Sequence, residues 1–151
     1  MSNASLAIAG AGGHARVVAD TAEALGWTVS LFDDNLAGRQ SGPWQVADTV
    51  SWLMEHLHHF EGLVVGIGDN SIRCRVQQEI VNRGGRPVTL VHPMAWCSPR
   101  AVLGAGSVMF AGAVLNAGAV TGSACIINTG ATVDHDCRLA DGVHVSPGAH
   151  L

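Results

Sequence analysis

From Val91 onward the chain obeys a six-residue rule, and no other feature restricts its fold as tightly. Counting in sixes from Val91 gives Cys97, Leu103, Met109, Leu115, Thr121, Ile127, Val133, Leu139, Val145 and Leu151; nine of these eleven are aliphatic or Met. Four places further on in each hexad stand Ala95, Ala101, Ser107, Ala113, Ala119, Cys125, Ala131, Cys137, Val143 and Ala149, all small or of modest size. The place after the aliphatic is often a turn-former: Gly104, Asn116, Gly122, Asn128, Asp134. Residues two apart in a strand point to one side, so Ala113 and Leu115 face inward together and Val114 faces out. Short strand, turn and short strand then wind the chain into a parallel β-helix. Three sides close a triangular coil of about 18 residues, with large aliphatics at its centre and small residues towards its corners.

The outward places form a second series. Val102, Val108, Val114, Val120 and Ile126 come first, and Thr132, Arg138, His144 and His150 follow. β-Branched residues suit strands on any face; the sharper reading of an apolar outward run is a buried face, against the first domain or another copy of the chain. Polarity takes over in the last coils, where chemistry would sit.

Residues 1–90 read differently and are expected to form a separate domain from residues 91–151. Leu6–Ala9 predicts a strand, 13–25 a helix and Thr28–Phe32 a second strand. A loop around Gly38–Trp44 leads to a helix over roughly 47–58. Leu63–Gly66 reads as a buried strand, 70–83 as a helix and Pro87–Val91 as a last strand. Strands alternating with helices at this spacing predict a small parallel sheet with helices on its faces, a Rossmann-like α/β domain.

Two clusters can carry chemistry. The first strand runs into Gly10-Ala11-Gly12-Gly13-His14-Ala15-Arg16, a Gly-x-Gly-x-x-Ala loop between strand and helix. Such glycines let the backbone approach a phosphate, and the helix N-terminus offers unpaired N–H groups to the anion. Asp33 and Asp34 end the second strand, where an acidic side chain can hold a ribose hydroxyl. A second glycine loop, Gly66-Ile67-Gly68-Asp69-Asn70, ends the third strand and opens a helix carrying Arg73. Read alone, the first loop also suits an NAD-binding oxidoreductase module, but that reading leaves the hexads unexplained. The second cluster is Asn128-Thr129-Gly130-Ala131-Thr132-Val133-Asp134-His135-Asp136-Cys137. His135 falls in a turn, so its ring should lie outside the coil, and Asp134 or Asp136 can fix its tautomer and raise its basicity. So held, the imidazole can take a proton from an attacking amine or hydroxyl. His144, nine residues on at an outward place, is expected to stand near it.

Composition narrows the partners. A formal charge of −4 and a pI near 6.0 argue against nucleic-acid binding. The chain shows no secretory leader and no apolar run of bilayer-spanning length, so a cytoplasmic protein without membrane insertion is expected. Cys74, Cys97, Cys125 and Cys137 lack metal-ligand spacing, and no metal is expected.

The chain resembles a known family. Gly10–Arg16, Phe32-Asp33-Asp34-Asn35, Gly66-Ile67-Gly68-Asp69-Asn70 with Arg73, Ile127–Gly130, Asp134–Cys137 and Val143-His144-Val145-Ser146-Pro147-Gly148-Ala149 together look like bacterial sugar acetyltransferases. These include the UDP-4-amino-sugar N-acetyltransferases of the bacillosamine pathway and sialic-acid O-acetyltransferase-like proteins. The resemblance implies left-handed coiling of the hexapeptide β-helix and a homotrimer with active sites between neighbouring coils. It also implies a nucleotide-sugar substrate, of the UDP type, on the first domain and acetyl-CoA along the coils. His135 would be the general base and Asp136 its orienting carboxylate. His144 and Asn128 would meet the acetyl end of acetyl-CoA. Gly10, Gly12, Gly13, His14 and Arg16 would cradle the substrate's phosphates, with Asp33, Asp34 and Gly68 nearby. Transfer to a 4-amino group in surface-glycan synthesis is the leading expectation. The alternatives are O-acetylation of a sugar, and a non-catalytic nucleotide-sugar-binding or scaffold protein. Relatives continue for several coils beyond the Ser-Pro-Gly-Ala segment, so the β-helix ending at Leu151 is expected to be incomplete.

Overall fold

Residues 4–151 are described by the computed structural model, in which the chain divides into two units between Val88 and Thr89. In the first, β1 (Ser5–Ala9), α1 (Gly13–Ala24), β2 (Thr28–Phe32), β3 (Gln40–Ser41) and β4 (Trp44–Asp48) are followed by α2 (Val50–Glu55) and a 3-10 turn (Leu57–His59). β5 (Gly62–Val65) and α3 (Asn70–Asn82) complete it. The sheet order is β3-β4-β2-β1-β5. Its pairs are parallel except β3 with β4. Leu6, Ala7, Ile8 and Ala9 of β1, an interior strand between β2 and β5, have no exposed surface, as a strand covered on both faces requires. Below the sheet, Phe32 stacks on Trp52 with ring centroids 5.8 Å apart and meets Phe60 edge-on at 5.4 Å.

Three expectations need correction here. The predicted helix over 47–58 begins as β4, and α2 starts only at Val50. Trp44–Asp48 alternates in burial about a buried Val46 that pairs with Leu31, so sheet pairing overrides the local helical pattern. The predicted Gly38–Trp44 loop contains the β3–β4 hairpin, turned at Gly42–Pro43. The predicted strand Pro87–Val91 is split as well: Pro87 makes one parallel bridge to Leu63, while Leu90–Val91 belongs to the second unit.

That second unit begins with β6 (Leu90–Val91), β7 (Trp96–Cys97), β8 (Val108–Met109), β9 (Val114–Leu115) and β10 (Val120–Thr121). β11 (Ile126–Ile127), β12 (Thr132–Val133), β13 (Arg138–Leu139) and β14 (His144–Val145) follow. Partners pair in parallel 18 residues apart: Leu90, Val108, Ile126 and His144 stack on one side, and Trp96, Val114 and Thr132 on the next. Val102, Val120 and Arg138 form the third. The hexad aliphatics Met109, Leu115, Ile127, Val133 and Val145 pack centrally with Ala113, Ala119 and Ala131.

The turns reveal a second six-residue column. Gly106, Gly112, Gly118, Ala124, Gly130, Asp136, Gly142 and Gly148 all have φ between 53° and 77°. This is the left-handed region, where a side chain costs about 1–2 kcal/mol and glycine almost nothing. Among the described residues Ala124 and Asp136 alone adopt positive φ without being glycine.

The apolar outward series does not form one exposed stripe. Val108 and Ile126 are buried, Val114 and Val120 half-buried, and Val102 is 56% exposed. Among the described residues no helix is long and apolar enough to cross a membrane.

Candidate active site

Where β1 ends, Gly10 N–H donates to the Phe32 carbonyl (2.7 Å) and the chain turns into α1. Gly10 has φ +119°, and a Cβ there would lie 2.7 Å from the Gly66 carbonyl oxygen. A Cβ on Gly66 would press on Ala15 and Ile8 at 2.9 and 2.7 Å. The two glycine loops therefore abut through bare backbone, and an ideal Cβ on Gly68 would be 4.0 Å from the Cβ of His14. Gly12 stands at the N-cap of α1 in extended conformation and has no side chain with which to cap it. Gly12, Gly13 and Arg16 are exposed and His14 is partly so. Backbone donors of the first turn and one guanidinium thus stand at the C-terminal edge of a parallel sheet, where phosphates are held.

The aspartates are engaged in building this edge. Asp33 Oδ1 accepts from Asn35 and Leu36 N–H (2.9 and 3.1 Å), and Oδ2 accepts from Ala11 N–H at 3.3 Å. Asp34 Oδ1 accepts from Val50 N–H (2.9 Å) at the start of α2. Both shape the loop through backbone bonds, which leaves their remaining lone pairs for a ligand. Arg73, only 1% exposed, donates to the Ile67 and Gly68 carbonyls (3.0 and 2.9 Å) and to Asn70 Oδ1 (2.8 Å). It therefore holds the second glycine loop from beneath. Its place after Asp69, whose carboxylate caps α3 by accepting from Ile72 N–H (2.8 Å), is the sequence signal for that role.

In the coil, His135 and Asp136 occupy the turn between β12 and β13. His135 Nδ1 donates to Asp136 Oδ2 at 2.9 Å, and both side chains are largely exposed, 73% and 80%. With Nδ1 protonated for the carboxylate, Nε2 is the basic nitrogen. The Asp136 hydrogen bond raises the His135 pKa above the ordinary histidine value, and the charges of Asp134 and Asp136 add to it. Asp134 is held ionised by the His135 N–H (2.7 Å) and by the Asn116 amide (3.1 Å), which lower its pKa.

Asn128 and His144 form another pair. Thr129 N–H donates to Asn128 Oδ1 (2.8 Å), so the amide NH₂ faces His144 Nε2 at 2.9 Å. Nε2 therefore accepts, and the ring proton sits on Nδ1.

The expectation that His144 stands near His135 is corrected by the register. One coil takes 18 residues, and the two histidines are 144 − 135 = 9 residues apart, half a circuit. They project from opposite sides of one chain's coil. Among the described residues, no group of three or more His, Cys, Asp or Glu is placed to hold a metal ion. A cavity of about 270 Å³ lies at the other end of the sheet, beside Phe60–Glu61 and Arg83–Arg86, away from the glycine loops.

Comparison with known proteins decides the family. The model of the PglD N-terminal domain matches residues 5–80. The chain belongs to that family. A curated relative of this PglD-family chain is the GDP-perosamine N-acetyltransferase of Escherichia coli O157:H7, 29% identical over 124 residues, 82% of the chain. The chain spans about half (55%) of that relative's length. Among solved structures, the acetyltransferase domain of PglB from Neisseria gonorrhoeae FA1090 is 41% identical with a TM-score of 0.91. That match covers 98% of the chain and 73% of the domain. The same domain has been solved with acetyl coenzyme A. GDP-perosamine N-acetyl transferase from Caulobacter crescentus is 35% identical with a TM-score of 0.90, covering 97% of the chain and 70% of its own. It was solved as a histidine-to-alanine variant with CoA and GDP-perosamine.

Proposed function

We propose that the chain is an acetyl-CoA-dependent N-acetyltransferase acting on the 4-amino group of a nucleotide-linked sugar. The observation that carries this reading is Asp136. It occupies a left-handed turn place that glycine fills in six of eight coil turns, and its carboxylate holds His135 Nδ1. Backbone strain at one polar residue that orients a base marks a functional turn. The solved relatives with acetyl coenzyme A or with CoA and GDP-perosamine supply the substrate classes. GDP and UDP are both candidate nucleotides.

Chemistry on these residues balances simply. The sugar amine attacks the thioester carbonyl, His135 Nε2 takes the amine proton, and the C–S bond breaks to release the thiolate of CoA. The thiolate is then protonated and the acetyl group remains on nitrogen. His144, held by the Asn128 amide, is assigned to the carbonyl oxygen, where negative charge develops. The glycine loops, Arg16 and the α1 N-terminus suit the diphosphate. Because His135 and His144 leave one coil on opposite sides, we assign them to two copies of the chain in a homotrimer of left-handed β-helices, His135 of one facing His144 of the next.

Thermal stability against GDP-sugars, UDP-sugars, NAD and acetyl-CoA, followed by turnover, tests the reading. A ligand at about a hundred times its Kd adds about 2.7 kcal/mol. A stabilising nucleotide sugar identifies the nucleotide, and His135→Ala should keep that stabilisation while abolishing transfer. Stabilisation by NAD alone, or undiminished turnover in His135→Ala, would sink it.

A further inference from the structure

We propose that Gly118 is a positioning residue for the His135–Asp136 pair, kept without a side chain so that the Asp136 carboxylate can lie over it. The inference rests on the acetyl-transfer reading only for its functional meaning; the contacts that motivate it stand without it. Gly118 lies 18 residues before Asp136 and so one coil beneath it. Each residue of Asn116-Ala117-Gly118 supports one turn residue above. Asn116 Nδ2 donates to Asp134 Oδ1 (3.1 Å), and the Ala117 carbonyl accepts from Asp136 N–H (3.3 Å). At Gly118 the support is an absence: a Cβ there would collide with Asp136 Oδ1 and come within 3.3 Å of its Cγ. The carboxylate is thus seated with Oδ1 over the bare glycine and Oδ2 on His135 Nδ1.

Backbone conformation does not account for this by itself. Gly112 has nearly the same φ, +72° against +77°, but a Cβ there would meet only the Gly130 backbone at 3.6 Å, an ordinary contact. Alanine at 112 and at 118 should therefore suffer the same φ strain, and only alanine at 118 should displace the carboxylate. The charged groups facing His135 are Asp134 and Asp136. Asp134 is tied down by Asn116, so a change at Gly118 is read through Asp136.

The test is an NMR titration of the His135 ring in the wild-type chain, Gly118→Ala, Gly112→Ala and Asp136→Asn. Gly118→Ala should lower the His135 midpoint by at least about half of the fall that Asp136→Asn produces, with Gly112→Ala unchanged. Equal midpoints in the two alanine variants would overturn the proposal. No turnover is needed, so failure here is distinct from failure of the acetyl-transfer reading. Melting temperatures provide the second arm. In an Asp136→Gly background the loss caused by Gly118→Ala should shrink to that of Gly112→Ala, because the clashing carboxylate is gone. If Gly118→Ala does not fold alone, the double variant should restore folding. Equal losses in both backgrounds, or no rescue, would overturn it.

Discussion

Histidine 135 sets the pH behaviour expected of this site. Its pKa is raised, first by the hydrogen bond to Asp136 and then by the two aspartate charges. The rising limb of kcat/KM, which reports the neutral base, should lie above the usual histidine range. In Asp136→Asn that limb should move to lower pH and the plateau should fall, as a pH profile would reveal; an unmoved limb would mean that Asp136 does not hold the ring. Linkage runs the same way: a raised folded pKa stabilises the fold below the unfolded value of 6.5, and that gain is lost as pH rises through the folded value. The pair's exposure to solvent weakens this contribution. Much at this scale was legible in the sequence, since His135 flanked by two aspartates in a turn already pointed to the hydrogen-bonded pair that the structure shows. The glycine column, every six residues from Gly106, is equally visible in the sequence. Ala124 and Asp136 interrupt it at the fourth place of the hexad, whereas the turn-formers named from the pattern stand at the second. Arg73 was visible only as a motif member, because burial beneath a loop leaves no mark on composition.

Strands and helices divide by how local their causes are. In the coil each hexad carries its own instruction, an aliphatic, a left-handed turn and a small residue, so nearly every strand could be placed from periodicity. Ile127 is fully buried at the centre of that stack, and Ile127→Ala should cost about 2–5 kcal/mol in urea unfolding. Val102→Ala, 56% exposed, should stay within about 0.5 kcal/mol. Similar losses at both positions would mean that the hexad aliphatic is not the core. The misread stretch, 44–48, depends on distant partners: β4 is a strand because Leu31 and Phe32 pair with it, and no local helical pattern announces that. α2 is capped by Thr49, whose hydroxyl accepts from Trp52 N–H (3.0 Å). A capping threonine after the alternating Trp44–Asp48 run was the available clue.

At the scale of the whole molecule, half a coil separates the two histidines to which the proposed acetyl transfer is assigned. The residue count alone requires this, 9 of an 18-residue circuit, so the proposed site would be completed by neighbouring copies around a closed ring. In such an assembly His135→Ala and His144→Ala damage different halves of each site. Each variant should be severely impaired alone. Unfolded together at equal amounts and refolded, they assort at random. A site then works when the copy supplying His135 and the neighbour supplying His144 are both intact at those places. Each condition holds with a chance of about one half, so about a quarter of wild-type activity should return in the mixture. A site built within one chain would recover nothing, because every chain carries one of the two lesions. The recovered fraction therefore measures directly whether the missing half of the circuit is supplied by another copy.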